Sequence, residues 1–112
     1  MLTNYRITEK ELKEYVGIDL EEDLVDTTKK PFILNIAFEY VVKEIFSLND
    51  NIKSRQEIEE SLDSEEKIYV FKWCQAKVIS NLFSYKNVII DDTIINSIRF
   101  ELKLSKINGF QK

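Results

Sequence analysis

Apolar residues recur at helical spacing along most of the first 86 positions of this 112-residue chain. Residues 32–48 and 68–85 are the longest stretches with apolar side chains three and four positions apart, and they predict two long helices. Shorter stretches after Thr8, Asp19 and Ser54 predict short helices. We therefore expect a mainly α protein, a small bundle of four to five helices, with residues 1–86 as the helical core of a single domain.

Local signals predict where these helices begin and end. Residues 8–11 and 54–57 each have the Ser/Thr-x-x-Glu spacing of a capping box, in which two side chains satisfy free N–H groups at a helix start. Gly17 stands where a left-handed residue ends a helix, and Pro31 suits the first position of the long helix that follows. Nearly all of the circumference of the 32–48 helix is apolar, which indicates a central position or a partner, and Phe38 is the candidate for the excess.

The period of the pattern changes near the end of the chain. Apolar and polar residues alternate over positions 98–105, which indicates a strand whose apolar members are Ile98, Phe100, Leu102 and Leu104. Asp91 and Asp92 suit a turn, so we interpret residues 87–112 as a strand-like arm, a C-terminal β-hairpin or extended segment. The alternative is a helix capped by Asp92, but the alternation favours the strand. Because a lone hairpin is marginal in water, it must pack on the helices or pair with a neighbouring chain.

Charge is divided unevenly along the chain. Residues 1–66 carry 8 basic and 17 acidic side chains, a balance of −9, whereas residues 67–112 carry 8 basic and 3 acidic ones, a balance of +5. Two runs without Lys or Arg, residues 19–26 and 57–66, supply most of the acidic groups. They are consistent with helix starts that complement the helix dipole, with a polar molecule that stacks head to tail, or with an acidic face that imitates nucleic-acid phosphates.

Composition argues against most catalytic and cofactor chemistry. The absence of His removes the usual Ser and Cys nucleophile systems and nearly every zinc site, and two glycines cannot form a phosphate-binding loop. Cys74 has no imidazole to activate it and is predicted to be a small core residue. We expect no enzyme activity, no catalytic residue, no cofactor and no metal site. An enzyme that uses only carboxylates and tyrosines is the weaker alternative.

Nucleic-acid and membrane binding are also disfavoured. The only candidates for a nucleic-acid surface are four lysines beside three aromatic residues, and core packing of the aromatics with solvated lysines is the better account: Lys67, Lys72, Lys77 and Lys86, with Tyr69, Trp73 and Tyr85. The N-terminus lacks the apolar segment of a signal peptide, and no apolar window reaches the length of a bilayer span. We expect a soluble intracellular protein with no membrane partner.

The start of the chain resembles a known family. Residues 7–19 read ITEKELKEYVGID, which is similar to the I-T-x-x-E-L-K-x-Y-L opening of small tailed-phage head–tail connector (adaptor, or head-completion) proteins. In that family an acidic stretch and a long helix follow, and here these are residues 19–26 and the 32–48 helix. Residues 37–41, AFEYV, resemble the family's A-x-x-Y-I run. The resemblance covers residues 5–48 in pattern and 65–86 in architecture.

The resemblance implies a structural virion protein that is made in the host cytoplasm and located at the head–tail interface. Its partners would be further copies in a homo-oligomeric ring, the portal protein and tail-side connector proteins, with DNA only passing through the ring lumen. The candidate partner-binding residues are Phe38 and, on the arm, Ile98, Arg99, Phe100, Lys103, Lys106 and Phe110. The alternative function is a small acidic inhibitor that acts on host defence or nucleic-acid enzymes by surface mimicry.

Overall fold

The computed structural model of the chain describes residues 1–24, 26–48, 51–85 and 92–104. These residues form six α-helices: α1 Glu9–Val16, α2 Leu20–Asp23, α3 Lys30–Leu48, α4 Arg55–Ser61, α5 Glu65–Tyr85 and α6 Asp92–Leu104. Two 3₁₀ turns, Leu2–Tyr5 and Thr27–Lys29, precede α1 and α3. Strands are absent from these ranges, so the predicted mainly α class is confirmed.

The capping signals around α1 behave as predicted. The Thr8 hydroxyl oxygen accepts the N–H of Glu11 at 3.1 Å, and the Glu11 carboxylate accepts the N–H of Thr8 at 3.0 Å. Together they complete the capping box. Gly17 ends the helix with φ +74°, a left-handed conformation, and donates its N–H to the carbonyl of Lys13. The sequence around α1 therefore determines both of its ends.

Helix α5 is the centre of the molecule. It packs against α3, α6, α1 and the N-terminal 3₁₀ turn, and α3 also contacts α6. Its fully buried residues occupy more than one side of the helix: Phe71, Cys74, Gln75, Ala76, Val78 and Ile79. A helix that is buried on most of its circumference needs neighbours on several sides, which the bundle supplies. All six helices contribute to a single hydrophobic core.

Residues 92–104 form a helix and not the predicted strand. Ile98 and Leu102 are fully buried, whereas Phe100 is 62% and Leu104 66% exposed. A strand would place these four residues on one face. A helix turns by about 100° per residue, so the two pairs lie on opposite faces. The alternation thus consists of two i,i+4 pairs, one inward and one outward. Residues 87–91 and 105–112 of the predicted arm lie outside the described residues.

A buried amide fixes the N-terminal segment to α5. The side chain of Gln75 is fully buried, and its Oε1 accepts the N–H of Ile7 at 3.0 Å. Its Nε2 donates to the carbonyl of Tyr5 at 3.0 Å and to that of Phe71 at 3.4 Å. Because the amide serves both as donor and acceptor, it holds the chain entering α1 in one register against α5.

A partly buried salt bridge joins α1 to α5. Lys72 Nζ lies 2.8 Å from Glu11 Oε2, with the two side chains only 16% and 23% exposed. Burial acts to raise the pKa of Glu11, but hydrogen bonds from Lys72 and Thr8 outweigh it and leave that pKa below its ordinary value. Glu11 therefore serves both the helix cap and the contact between helices.

Candidate interaction surfaces

An apolar groove lies where the first turn of α3 meets the last turn of α5. Its volume is about 480 Å³, and three exposed charged residues complete its lining. We define the apolar groove by all eight of these residues: Leu24, Phe32, Ile33, Leu82 and Phe83, with Asp23, Asp26 and Lys29. Phe32 is 61% exposed, so the groove presents a large aromatic side chain to solvent.

Hydrogen bonds cap the 3₁₀ turn before α3, a segment that contributes Asp26 and Lys29 to the lining of the groove. Asp26 Oδ1 accepts the N–H of Thr28 at 3.0 Å and its hydroxyl at 2.6 Å, which caps the second 3₁₀ turn. The Thr28 hydroxyl, and then its N–H, lower the pKa of the Asp26 carboxyl. Lys30 forms salt bridges with Glu9 and Glu21, so the start of α3 is tied to α1 and α2.

Helix α6 presents the second surface. Its exposed residues recur at helical spacing, so they share one side of the helix. We call this the outer face of α6: Thr93, Asn96, Phe100, Lys103 and Leu104. The opposite side carries the buried Ile98 and Leu102.

A salt bridge between α6 and α3 fixes the orientation of this outer face. Arg99 Nε donates to Glu44 Oε1 at 2.6 Å, and the Glu44 side chain is only 8% exposed. Glu44 follows Ile33 of the apolar groove by eleven residues on α3, or about 16 Å along a helix. The apolar groove and the point where α6 is anchored are therefore well separated along α3.

The structure corrects two of the predicted partner-binding residues. Phe38 is fully buried, since the edge of its ring meets Phe71 at 6.0 Å between centroids and the Arg6 guanidinium lies 4.9 Å from its centroid. Ile98 lies on the inward side of α6 and is fully buried. Neither side chain is available to a partner, because both are used in the chain's own core.

The remaining predicted residues fall into three groups. Phe100 and Lys103 are exposed on the outer face of α6. Arg99 is held in the salt bridge with Glu44. Lys106 and Phe110 lie outside the described residues. Two of the seven candidates therefore lie together on one exposed surface.

The apolar groove was not among the sequence predictions. Phe32 belongs to the same apolar stretch as Phe38, but six residues turn a helix by about 240° beyond one full rotation, so the two rings face different sides. The excess of apolar residues on α3 indicates that an aromatic side chain is exposed, but it does not show which one. Phe83 and Leu82 join Phe32 from α5, about 50 residues later in the sequence, and no local pattern could have predicted that.

The lysines and aromatics of α5 have partners within the chain. Lys67 Nζ lies 2.9 Å from Asp63, and Lys72 pairs with Glu11. Lys77 Nζ lies 5.4 Å from the centroid of the Trp73 ring, a cation–π contact. Three of the four lysines that could serve a nucleic-acid surface are thus engaged by other side chains.

Cys74 lies on α5 and is fully buried in the core, as predicted. Burial, and secondarily the negative charge of Glu101 on α6, raise the pKa of its thiol well above the ordinary value. The thiol is therefore protonated and lies within the core.

Within the described ranges, no three Cys, Asp or Glu side chains are grouped so as to hold a metal ion. Among the helices described above, none is both long enough and apolar enough to cross a membrane. Searches of protein-family models, curated proteins and solved structures find no match to this chain.

Proposed function

We propose that this protein is a structural component of a tailed-phage virion, a head–tail connector that assembles as a ring between the portal protein and the tail. The proposal starts from the resemblance of residues 7–19 and 37–41 to that family. Its role is assembly and not catalysis, which is supported by the lack of imidazole and by the buried, protonated thiol of Cys74.

The observation that carries the proposal is the presence of two separate surfaces with exposed apolar side chains. Phe32 is 61% exposed in the apolar groove, and Phe100 and Leu104 are 62% and 66% exposed on the outer face of α6. Large apolar side chains that remain in water favour contact with a partner. A ring subunit contacts one neighbour on each side and needs two different surfaces for this purpose.

Mass measurement by light scattering, with and without a portal ring, tests this function. We expect the protein to join the portal as a stoichiometric ring, seen as a defined increase in mass and as an added layer in electron micrographs. Bovine serum albumin in place of the protein is the control for adventitious binding. A protein that stays unbound at every portal concentration would show that the connector function is wrong.

The exposed acidic residues favour one alternative, an inhibitor that acts on host defence or nucleic-acid enzymes by surface mimicry. In both acidic runs most carboxylates are exposed: Glu21, Glu22, Asp23 and Asp26, then Glu57, Glu60, Asp63, Glu65 and Glu66. This alternative does not account for the exposed Phe100 and Leu104 on the outer face of α6. A monomer that ignores the portal but inhibits a host nuclease in a salt-sensitive way would support it.

A further inference from the structure

We propose that the outer face of α6 of one copy docks in the apolar groove of the next copy. The inference rests on the proposed function, since a ring requires one contact that repeats around it, and it names the two surfaces of that contact. The exposed apolar side chains, the charges and the separation of the two surfaces support it.

The apolar side chains of the two surfaces can pack against each other. Phe100 and Leu104 are four residues apart, so they project from the same side of α6 and can enter a groove together. The groove has a volume of about 480 Å³ and five apolar lining residues, so it can receive apolar side chains from a partner. Insertion of an amphipathic helix into an apolar groove is a recurring mode of recognition.

The charges of the two surfaces are complementary. Lys103 is exposed on the outer face of α6 together with Phe100 and Leu104. The apolar groove carries two carboxylates, Asp23 and Asp26, against the single ammonium of Lys29. A Lys103 from another copy therefore meets a net negative charge.

These two carboxylates keep their charge available to a partner. Their hydrogen-bond donors are backbone N–H groups and the Thr28 hydroxyl, and neither forms a salt bridge with a described residue. The hydrogen bonds from Thr28 also lower the pKa of the Asp26 carboxyl. The groove is thus negatively charged at neutral pH.

The chain's own α6 is held elsewhere, so an α6 that enters the groove comes from a second copy. The Arg99–Glu44 salt bridge anchors α6 on α3 at a point about 16 Å along that helix from Ile33 of the groove. The buried Ile98 and Leu102 direct the outer face away from the core. A contact between two different surfaces of identical chains is heterologous, and it closes into a ring when the rotation between copies allows.

Two complementary variants test the contact in solution. Phe100→Glu disables the outer face of α6 and leaves the groove intact, whereas Phe32→Glu disables the groove and leaves α6 intact. Both side chains are mostly exposed, so both variants should keep the native fold, which circular dichroism and thermal unfolding verify. Gln56→Glu places the same charge on an exposed position of α4 and is the matched control.

We expect wild-type protein and the control to self-associate, as measured by light scattering up to about 1 mM. Each variant alone should associate more weakly, by about tenfold or more in dissociation constant. An equimolar mixture of the two variants has one intact contact and should form a pair of twice the 13.3 kDa monomer mass that does not grow further. Only a heterologous contact between these two surfaces gives that result.

NMR gives a second readout that also detects weak binding. Unlabelled Phe32→Glu protein added to ¹⁵N-labelled Phe100→Glu protein should shift the amide signals of Leu24, Ile33 and Phe83. With the labels exchanged, Asn96 and Lys103 should shift. Wild-type protein that stays monomeric without amide shifts, or a Phe32→Glu variant that associates as strongly as wild type, overturns the inference. So does a groove whose amides respond to the portal protein but not to a second copy.

The portal measurement separates this inference from the proposed function. If both variants load on the portal as complete rings, the contact between groove and α6 is wrong while the connector function stands. If the two variants pair with each other but wild-type protein ignores the portal, the connector function is wrong while the contact stands.

Discussion

The buried amide of Gln75 links the N-terminal segment to α5 and so contributes to the stability of the fold. A buried polar side chain is tolerated when its donors and acceptors are paired, and here the amide pairs with Tyr5, Ile7 and Phe71. Its spacing on α5 places it on the apolar face, where the sequence alone gives no reason for an amide. The reason is the entering chain segment, which lies 68 residues earlier at Ile7.

Replacement of this amide should release the N-terminal segment. Gln75→Leu leaves the buried N–H of Ile7 without an acceptor, so we expect the free energy of unfolding to fall by about 1–3 kcal/mol in urea titrations. Hydrogen exchange at the Ile7 amide should accelerate in step. The matched control is Gln56→Leu, the same change at an exposed amide, which should stay within about 0.5 kcal/mol of wild type. Unchanged exchange at Ile7 would contradict this role.

Glu11 makes stability depend on pH in the acidic range. Its pKa is lower in the folded chain than in the unfolded one, so its contribution is present above the unfolded value and is lost as pH falls through the folded value. Glu11→Gln preserves the capping box but removes the charge that pairs with Lys72. We expect the variant to be about 1–2 kcal/mol less stable at pH 7, by loss of a charged hydrogen bond. The difference from wild type should shrink as pH drops toward 3.

A double-mutant cycle identifies the partner in this effect. In a Lys72→Met background, Glu11→Gln should lose most of its pH-dependent cost, as measured by urea unfolding across the same pH range. A cost that persists unchanged without Lys72 would assign the effect to the Thr8 cap instead.

Sequence patterns suffice to predict the ends of α1 but not the secondary structure of α6. Both ends of α1 follow from residues within one turn of them, so its limits could be predicted. The identity of α6 could not, because two inward and two outward apolar residues mimic the alternation of a strand. Packing against α5 and α3 decides between the two, and that packing depends on residues far away in sequence.

Mutation can measure how much the Arg99–Glu44 salt bridge stabilises the packing of α6 on α3 within the chain. Arg99→Met leaves the carboxylate of Glu44 buried without this partner, so we expect a loss of about 2–4 kcal/mol in unfolding free energy. The double variant Glu44→Leu with Arg99→Met removes both charges and should be more stable than Arg99→Met alone. Equal stability of the two variants in denaturant titrations would show that the salt bridge does not anchor α6.

At the scale of the whole molecule, the charges of the proposed contact follow the uneven division of charge along the chain. The acidic residues of the groove come from the half of the chain with a balance of −9, and Lys103 comes from the half with +5. That polarity was visible in the sequence. The apolar groove was not, because Phe32 and Phe83 are brought together only by the packing of α3 on α5.

The hydrogen bonds between Gln75 and the N-terminal segment also have a consequence for the order of folding during synthesis. The segment around Ile7 is made before its hydrogen-bond partner Gln75, which lies 68 residues later. Glu11 is likewise made before Lys72, which lies 61 residues later. Contacts with such long sequence separation cannot form while the chain is short. On the ribosome, α1 therefore lacks its contacts with α5 until that helix emerges, and before then it can be held by its own cap and by salt bridges to nearer residues such as Lys30. The N-terminal segment joins α5 only after most of the chain has been made.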